Sequence, residues 1–149
     1  MKLKRLLVLL VFASFCLSSQ VQNPIIWTSS YKSLNAGEGE IIVSGQIQPG
    51  WHTYSQRPTD AGPISTNIQF NATNHFELIG KPEEIGVKEE YDKAFEAQLF
   101  VFSNKAEFKQ KIKIKSKTPF SISFSLEYVC CNDNMCLPPK TIEMNVKIQ

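Results

Sequence analysis

The chain has 149 residues, of which 42% are hydrophobic, 11% aromatic and 20% charged, a composition that suits one globular domain and excludes disordered and collagen-like chains. The formal charge of +2 is set by the N-terminus: Lys2, Lys4 and Arg5 are three of sixteen basic residues and no acid precedes Glu38, so residues 21–149 carry 13 basic and 14 acidic residues, net −1. That balance gives no footing for a nucleic-acid partner.

Lys2, Lys4 and Arg5 open a positive segment, Leu6 to Leu17 is apolar apart from Ser14, and Ser18, Ser19 and Gln20 follow. This is the pattern of a cleaved secretory signal peptide over residues 1–20, and the run is short for a membrane span. A lipoprotein site at Cys16 is disfavoured because the bulky Phe15 precedes it. Residues 21–149 are then expected to form one exported domain, in a compartment where disulfides persist.

Downstream, apolar residues recur with period two and helical periodicity is nearly absent. Strands are expected at Ile41–Ile47, His52–Gln56, Thr66–Phe70, Phe76–Ile79 and Leu99–Phe102. Three longer ones follow. Phe108, Gln110, Ile112 and Ile114 alternate with Lys109 to Lys115. Phe120 to Tyr128 alternates with serines and Glu127, and Ile142 to Ile148 with Glu143, Asn145 and Lys147. Turn signals separate them at Pro49-Gly50, Ala61-Gly62-Pro63, Gly80-Lys81-Pro82, Ser103-Asn104 and Pro138-Pro139. Short strands with one wet face each point to an all-β fold, an antiparallel immunoglobulin-like sandwich. The lysines between 105 and 117 read as a solvated strand face.

Chemistry is concentrated in three cysteines within seven positions: Cys130, Cys131 and Cys136. Alternation puts Cys130 on the face of Phe124, Leu126 and Tyr128, and Cys131 on the other. Adjacent cysteines bridge only through a strained ring. Cys131–Cys136 instead closes a turn over Asn132, Asp133, Asn134 and Met135, all but the last good turn formers. Cys130 then reads as a small buried hydrophobe. Such a short loop contributes about 2 kcal/mol by chain entropy and is easier to reduce than a cross-sheet staple. On these residues alone, a redox-active bridge and a structural one remain open. A metal site made of Cys131, Cys136 and His52 or His75 is not expected. Neither histidine is near in sequence, and no second cysteine pair follows Cys136.

The run Tyr128-x-x-Cys131-Asn132-Asp133-x-x-Cys136-Leu137-Pro138-Pro139 resembles the active-site hairpin of the N-terminal periplasmic domain of the thiol:disulfide interchange protein DsbD. Pro49-Gly50-Trp51-His52-Thr53-Tyr54-Ser55-Gln56, Gly62-Pro63-Ile64-Ser65-Thr66 and Tyr91-Asp92-Lys93-Ala94-Phe95 resemble further landmarks of that family, in family order, across residues 24–149. The resemblance implies an immunoglobulin-like fold and a protein-disulfide reductase component without a cofactor. In that role electrons pass from a thioredoxin-like domain, fed by a membrane electron-transfer protein, to oxidised exported proteins, including disulfide isomerases and cytochrome c maturation factors. It further implies that Cys136 forms mixed disulfides and Cys131 resolves them. Phe95, or alternatively Tyr91, would be an aromatic cap, with Asp92 and Tyr54 as polar neighbours. The rival reading is a non-catalytic exported binding or structural domain whose bridge pins a hairpin. Three features depart from the family: Cys130 is additional, the loop between Cys131 and Cys136 is one residue shorter than in some members, and the sequence ends at Gln149, where larger relatives continue into membrane and thioredoxin-like domains. The electron donor is therefore expected to be a separate protein.

Overall fold

The computed structural model describes residues 23–35 and 37–149; the expected signal peptide and Cys16 lie outside them. Eleven strands run in chain order: β1 Ile25–Ser33, β2 Glu38–Ile47, β3 His52–Tyr54, β4 Asn67–Phe70, β5 Phe76–Ile85, β6 Lys88–Asp92, β7 Ala97–Ser103, β8 Lys105–Ile114, β9 Phe120–Tyr128, β10 Cys130–Cys131 and β11 Lys140–Ile148. Every pairing between them is antiparallel. They form three sheets, β1-β2-β8-β5, β11-β9-β4 and a small sheet β10-β3-β7-β6. The all-β, antiparallel expectation is met.

The first two sheets share the main core. Ile41, Val43, Phe108 and Ile112 meet Ile122, Phe124, Leu126 and Val146 in one buried cluster. Each such side chain contributes about 1.5–3 kcal/mol by leaving water. Trp27 lies against this core at 6.2 Å from Phe108 and 5.3 Å from Tyr128, ring centre to ring centre. It can do so because its cross-strand partner is Gly45: a Cβ there would come within 2.7 Å of the indole.

Two differences from the sequence reading have clear causes. Gly80-Lys81-Pro82 does not end a strand. β5 continues through it with a register shift between Ile79 and Glu83, and Gly80 takes φ +67°. This is a bulge on an edge strand, where proline's missing N–H breaks no ladder. The buried Gln110 holds it, donating its amide to the Ile79 carbonyl at 3.1 Å and the Lys111 carbonyl at 2.7 Å. Strands β1 and β6 fall outside the expected ones, and β10 is the expected strand end at Cys130 and Cys131, set apart from β9 at Val129. β6, Lys-Glu-Glu-Tyr-Asp, has only Asp92 buried, so it carries no apolar alternation to find.

The small sheet positions the cysteines. Cys131 pairs with His52, which pairs with Ser103. Tyr54 pairs with Val101, and Asp92 with Ala97. With side chains alternating along each strand, Cys131, His52, Tyr54, Val101, Leu99, Ala97 and Asp92 share one face. Cys130, Thr53 and Phe102 occupy the other and face the main core.

Candidate redox site

Cys131 and Cys136 are joined by a disulfide, and Cys130 is a free, buried thiol. The two adjacent cysteines belong to different apolar clusters. Cys130 is in the main core, while Cys131 sits with Tyr54, Leu99, Val101 and Val129. Burial pushes the Cys130 thiol up to about 12, so it stays protonated and unreactive at neutral pH.

The loop between the bridged cysteines is tied by its own first residue. The Asn132 side-chain carbonyl accepts the Asn134 and Met135 N–H groups, each at 2.9 Å, and the Asn132 N–H donates to the Met135 carbonyl at 2.9 Å. Leu137 N–H returns to the Cys130 carbonyl at 2.9 Å. Before the loop, Thr53 Oγ1 donates to the Val129 carbonyl at 2.7 Å, clamping β10 to β3. The two sulfur-bearing residues are unequal: Cys131 is fully buried, and Cys136 is half-buried on the outer limb.

In the same sheet, β6 and β7 form a hairpin whose turn is Lys93-Ala94-Phe95-Glu96. Phe95 packs on the cluster of Tyr54, Leu99, Val101, Val129 and Cys131, as Cys136 does, and meets Tyr54 edge to face at 6.2 Å. Asp92 fixes the base of the turn. Its Oδ1 accepts the Ala94 and Phe95 N–H groups at 2.8 and 3.1 Å. Its Oδ2 accepts the Tyr54 hydroxyl at 2.6 Å and lies 3.0 Å from His52 Nε2. Nε2 is also 3.0 Å from the Tyr54 oxygen, so a proton on Nε2 satisfies both acceptors. Burial alone would raise Asp92. The hydrogen bonds from Tyr54, His52 and the two backbone groups outweigh it and hold the carboxyl below its ordinary value. Burial first, and then the Asp92 carboxylate, push Tyr54 far upward, so it remains a donor.

Elsewhere the bed of the cluster is braced. Thr66 N–H bonds the Ser55 carbonyl at 3.1 Å, and its hydroxyl bonds the Tyr54 carbonyl. Gly62 admits Leu99, whose Cδ2 would lie 3.1 Å from a Cβ placed there. A cavity of about 80 Å³ opens between the β6–β7 turn and the cysteine loop, lined by His52, Tyr91, Asp92, Lys93, Asn132 and Asp133 among others. Among the described residues, no group of three or more His, Cys, Asp or Glu side chains is placed to hold a metal. His75 is stacked on Phe120 at 5.1 Å.

The scaffold that holds this disulfide is shared with known proteins. Residues 26–148 match the family described as thiol:disulfide interchange protein DsbD, N-terminal. The chain belongs to this family. Two solved structures of DsbD N-terminal domains share its fold. The reduced-form domain from Neisseria meningitidis is 15% identical, with a TM-score of 0.54 over 82% of this chain and 83% of that one. A complex between the DsbD N-terminal and PilB N-terminal domains from Neisseria meningitidis gives 15% identity and a TM-score of 0.55 over 85% and 87%. No curated protein matches significantly. At these identities the structures establish the fold, and the family match makes this a thiol:disulfide interchange domain. No helix among the described residues is long and apolar enough to cross a membrane.

Of the residues singled out in the sequence, Cys131, Cys136, Phe95, Asp92 and Tyr54 converge. Tyr91 does not join the cluster. It is 58% exposed and pairs with Gln98, one position out of the Asp92–Ala97 row. Three contributors were not anticipated: His52 as a partner of Asp92 and Tyr54, and the ion pair Lys93–Asp133 at 2.9 Å. His52 was recoverable, since residues two apart on a strand share a face. The ion pair joins segments forty residues apart and had no local signal.

Proposed function

We propose that the chain relays electrons by thiol–disulfide exchange through Cys131 and Cys136, with Cys136 as the attacking residue and Cys131 as the resolving one. The observation that carries this reading is the asymmetry of the pair: Cys136 is half-buried, Cys131 is enclosed, and Phe95 packs on the same apolar cluster as both. In the charging direction, a thiolate of a reduced thioredoxin-like protein attacks Cys136 Sγ. The Cys131–Cys136 bond breaks, Cys131 leaves as a thiolate and takes a proton, and the donor's second thiolate displaces Cys136, so the donor departs as its disulfide. Two electrons and two protons have then moved to this domain. In the discharging direction, the Cys136 thiolate attacks an oxidised exported protein. Cys131 resolves the mixed disulfide, releasing the reduced acceptor and restoring the bridge.

Phe95, held by Asp92 and seated on Tyr54, is the cap that limits access to this exchange. Tyr91, exposed and outside the cluster, is the weaker candidate for that part. The positive and apolar segments of residues 1–20 support export to a periplasmic space as the setting. That a DsbD N-terminal domain has been solved in complex with a PilB N-terminal domain supports docking to separate protein domains as the mode of use. The membrane donor and cytochrome c maturation acceptors implied by the family resemblance belong to the same proposal.

Incubating Cys131→Ser with a thioredoxin-like partner bearing one active cysteine tests the roles. We expect a covalent complex on non-reducing electrophoresis for Cys131→Ser and none for Cys136→Ser. Trapping by Cys136→Ser alone reverses the roles. Trapping by neither across a panel of partners supports the structural bridge.

A further inference from the structure

Lys93 is the first residue of the cap turn, and Asp133 lies in the loop between the bridged cysteines. Lys93 Nζ donates to Asp133 Oδ2 at 2.9 Å. Among the described residues this is the one hydrogen bond or ion pair between the two loops. Each loop is separately rigid. Asp92 takes two N–H groups of the cap turn, and Asn132 takes two of the cysteine loop. Both loops border one cavity, which Lys93 and Asp133 line together with His52, Tyr91, Asp92 and Asn132. The pair therefore spans a gap between two preformed pieces and stabilises neither of them internally.

From this geometry we infer that Lys93–Asp133 is an ionic latch that holds the cap turn down on the Cys131–Cys136 disulfide. The inference rests on the reading of Phe95 as the cap. The latch is weak by construction. Its side chains are 68% and 72% exposed, so water and salt screen it and rotamer freedom opposes it. A weak latch is what an access device needs. It biases the closed state by a small factor, and a docking protein that offers an anion to Lys93 or a cation to Asp133 replaces the lost contact. Small thiols in solution offer no such replacement, so the latch discriminates between a docked partner and a passing thiol. The chemistry it gates is unchanged: a thiolate attacks Cys136 Sγ, and Cys131 leaves.

The test is the rate at which dithiothreitol reduces the oxidised domain. The reductant's thiolate forms the mixed disulfide, its second thiol closes the cyclic disulfide, and the domain gains two electrons and two protons. Lys93→Met and Asp133→Asn should each speed reduction by about two- to fivefold at low salt. The unmodified domain should approach their rate as salt is raised, and the exchange Lys93→Asp with Asp133→Lys should return the slow rate. A field effect without a latch gives opposite signs, because the attacking thiolate is an anion: Lys93→Met would slow reduction and Asp133→Asn would speed it. That result, or no change in either variant, overturns the latch. Phe95→Ala separates the two layers of the inference. If it accelerates reduction while the charge variants do not, the cap stands and the latch falls. If it leaves the rate unchanged, the cap reading fails and takes the latch with it.

Discussion

Asp92→Ala should loosen the cap turn and destabilise the domain by about 2–3 kcal/mol. The carboxylate accepts the buried Tyr54 hydroxyl at 2.6 Å, and hydrogen bonds to charged acceptors contribute about 1.5–3 kcal/mol each. It also accepts the Ala94 and Phe95 N–H groups, which are partly buried and recover some water when released, so about 0.5–1 kcal/mol each is at stake. Against this, the substitution relieves the desolvation of a carboxylate that is 6% exposed, which brings the net below the sum of the bonds. Asp92→Asn keeps an oxygen for the turn and should lose only about 1 kcal/mol. Urea unfolding reads the difference: with an m-value of about 1–3 kcal/mol/M, the Asp92→Ala midpoint falls by roughly 1–2 M. Amide exchange at Ala94 and Phe95 locates it. A double-mutant cycle with Tyr54→Phe should show coupling of about 1–2 kcal/mol. A change below about 0.5 kcal/mol with unaltered exchange at both amides would refute the assignment of Asp92 as the anchor of the cap.

Acid should act through the same group. The Asp92 carboxyl lies below its ordinary value of 3.8 in the folded state, so its contribution is complete above that value and is lost as pH falls through it toward the folded pKa. The stability gap between the unmodified domain and Asp92→Asn should therefore hold steady above the ordinary value and narrow as the pH falls below 3.8, and a gap that widens on acidification would have the sign wrong. Cys130, with its thiol pushed to about 12 by burial, should resist iodoacetamide in the native oxidised protein and react once in urea; labelling of Cys136 instead would mean a different pairing. Gly45→Ala should destabilise by about 1–3 kcal/mol, because the added methyl meets the Trp27 ring at 2.7 Å and a packed core absorbs such overlap poorly. An unchanged thermal midpoint would show that Trp27 is free to move aside.

The sequence made the sandwich readable wherever one strand face was buried. β9 alternates Ile122, Phe124, Leu126 and Tyr128, all buried, with residues that are exposed or half-exposed. The same period separates Cys130 from Cys131, because a one-residue step on a strand changes the face. It failed where burial comes from elsewhere. β6 is an edge strand of charged residues held by pairing to β7, so hydrophobic periodicity has nothing to report. Gly80-Lys81-Pro82 has the composition of a turn, and what keeps it in the sheet is distant in sequence: β8 pairing on both sides of the bulge and the Gln110 amide donated to the Ile79 carbonyl. The site divides in the same way. The cysteines and the His52–Tyr54 pair are legible because their geometry is local. The convergence of Asp92 and Phe95 on them depends on β7 of the β6–β7 hairpin pairing with β3, a long-range event that the chain signals only through resemblance to a family.

The reduction potential of the Cys131–Cys136 couple, obtained by equilibrating the domain against glutathione or dithiothreitol mixtures and counting alkylated thiols, tests the central claim most directly. A relay between thioredoxin-like donors and oxidised acceptors must sit between their potentials, so the account predicts a value between about −270 and −180 mV. A bridge that merely pins the hairpin would resist the glutathione pool, and a value below about −300 mV would contradict the account.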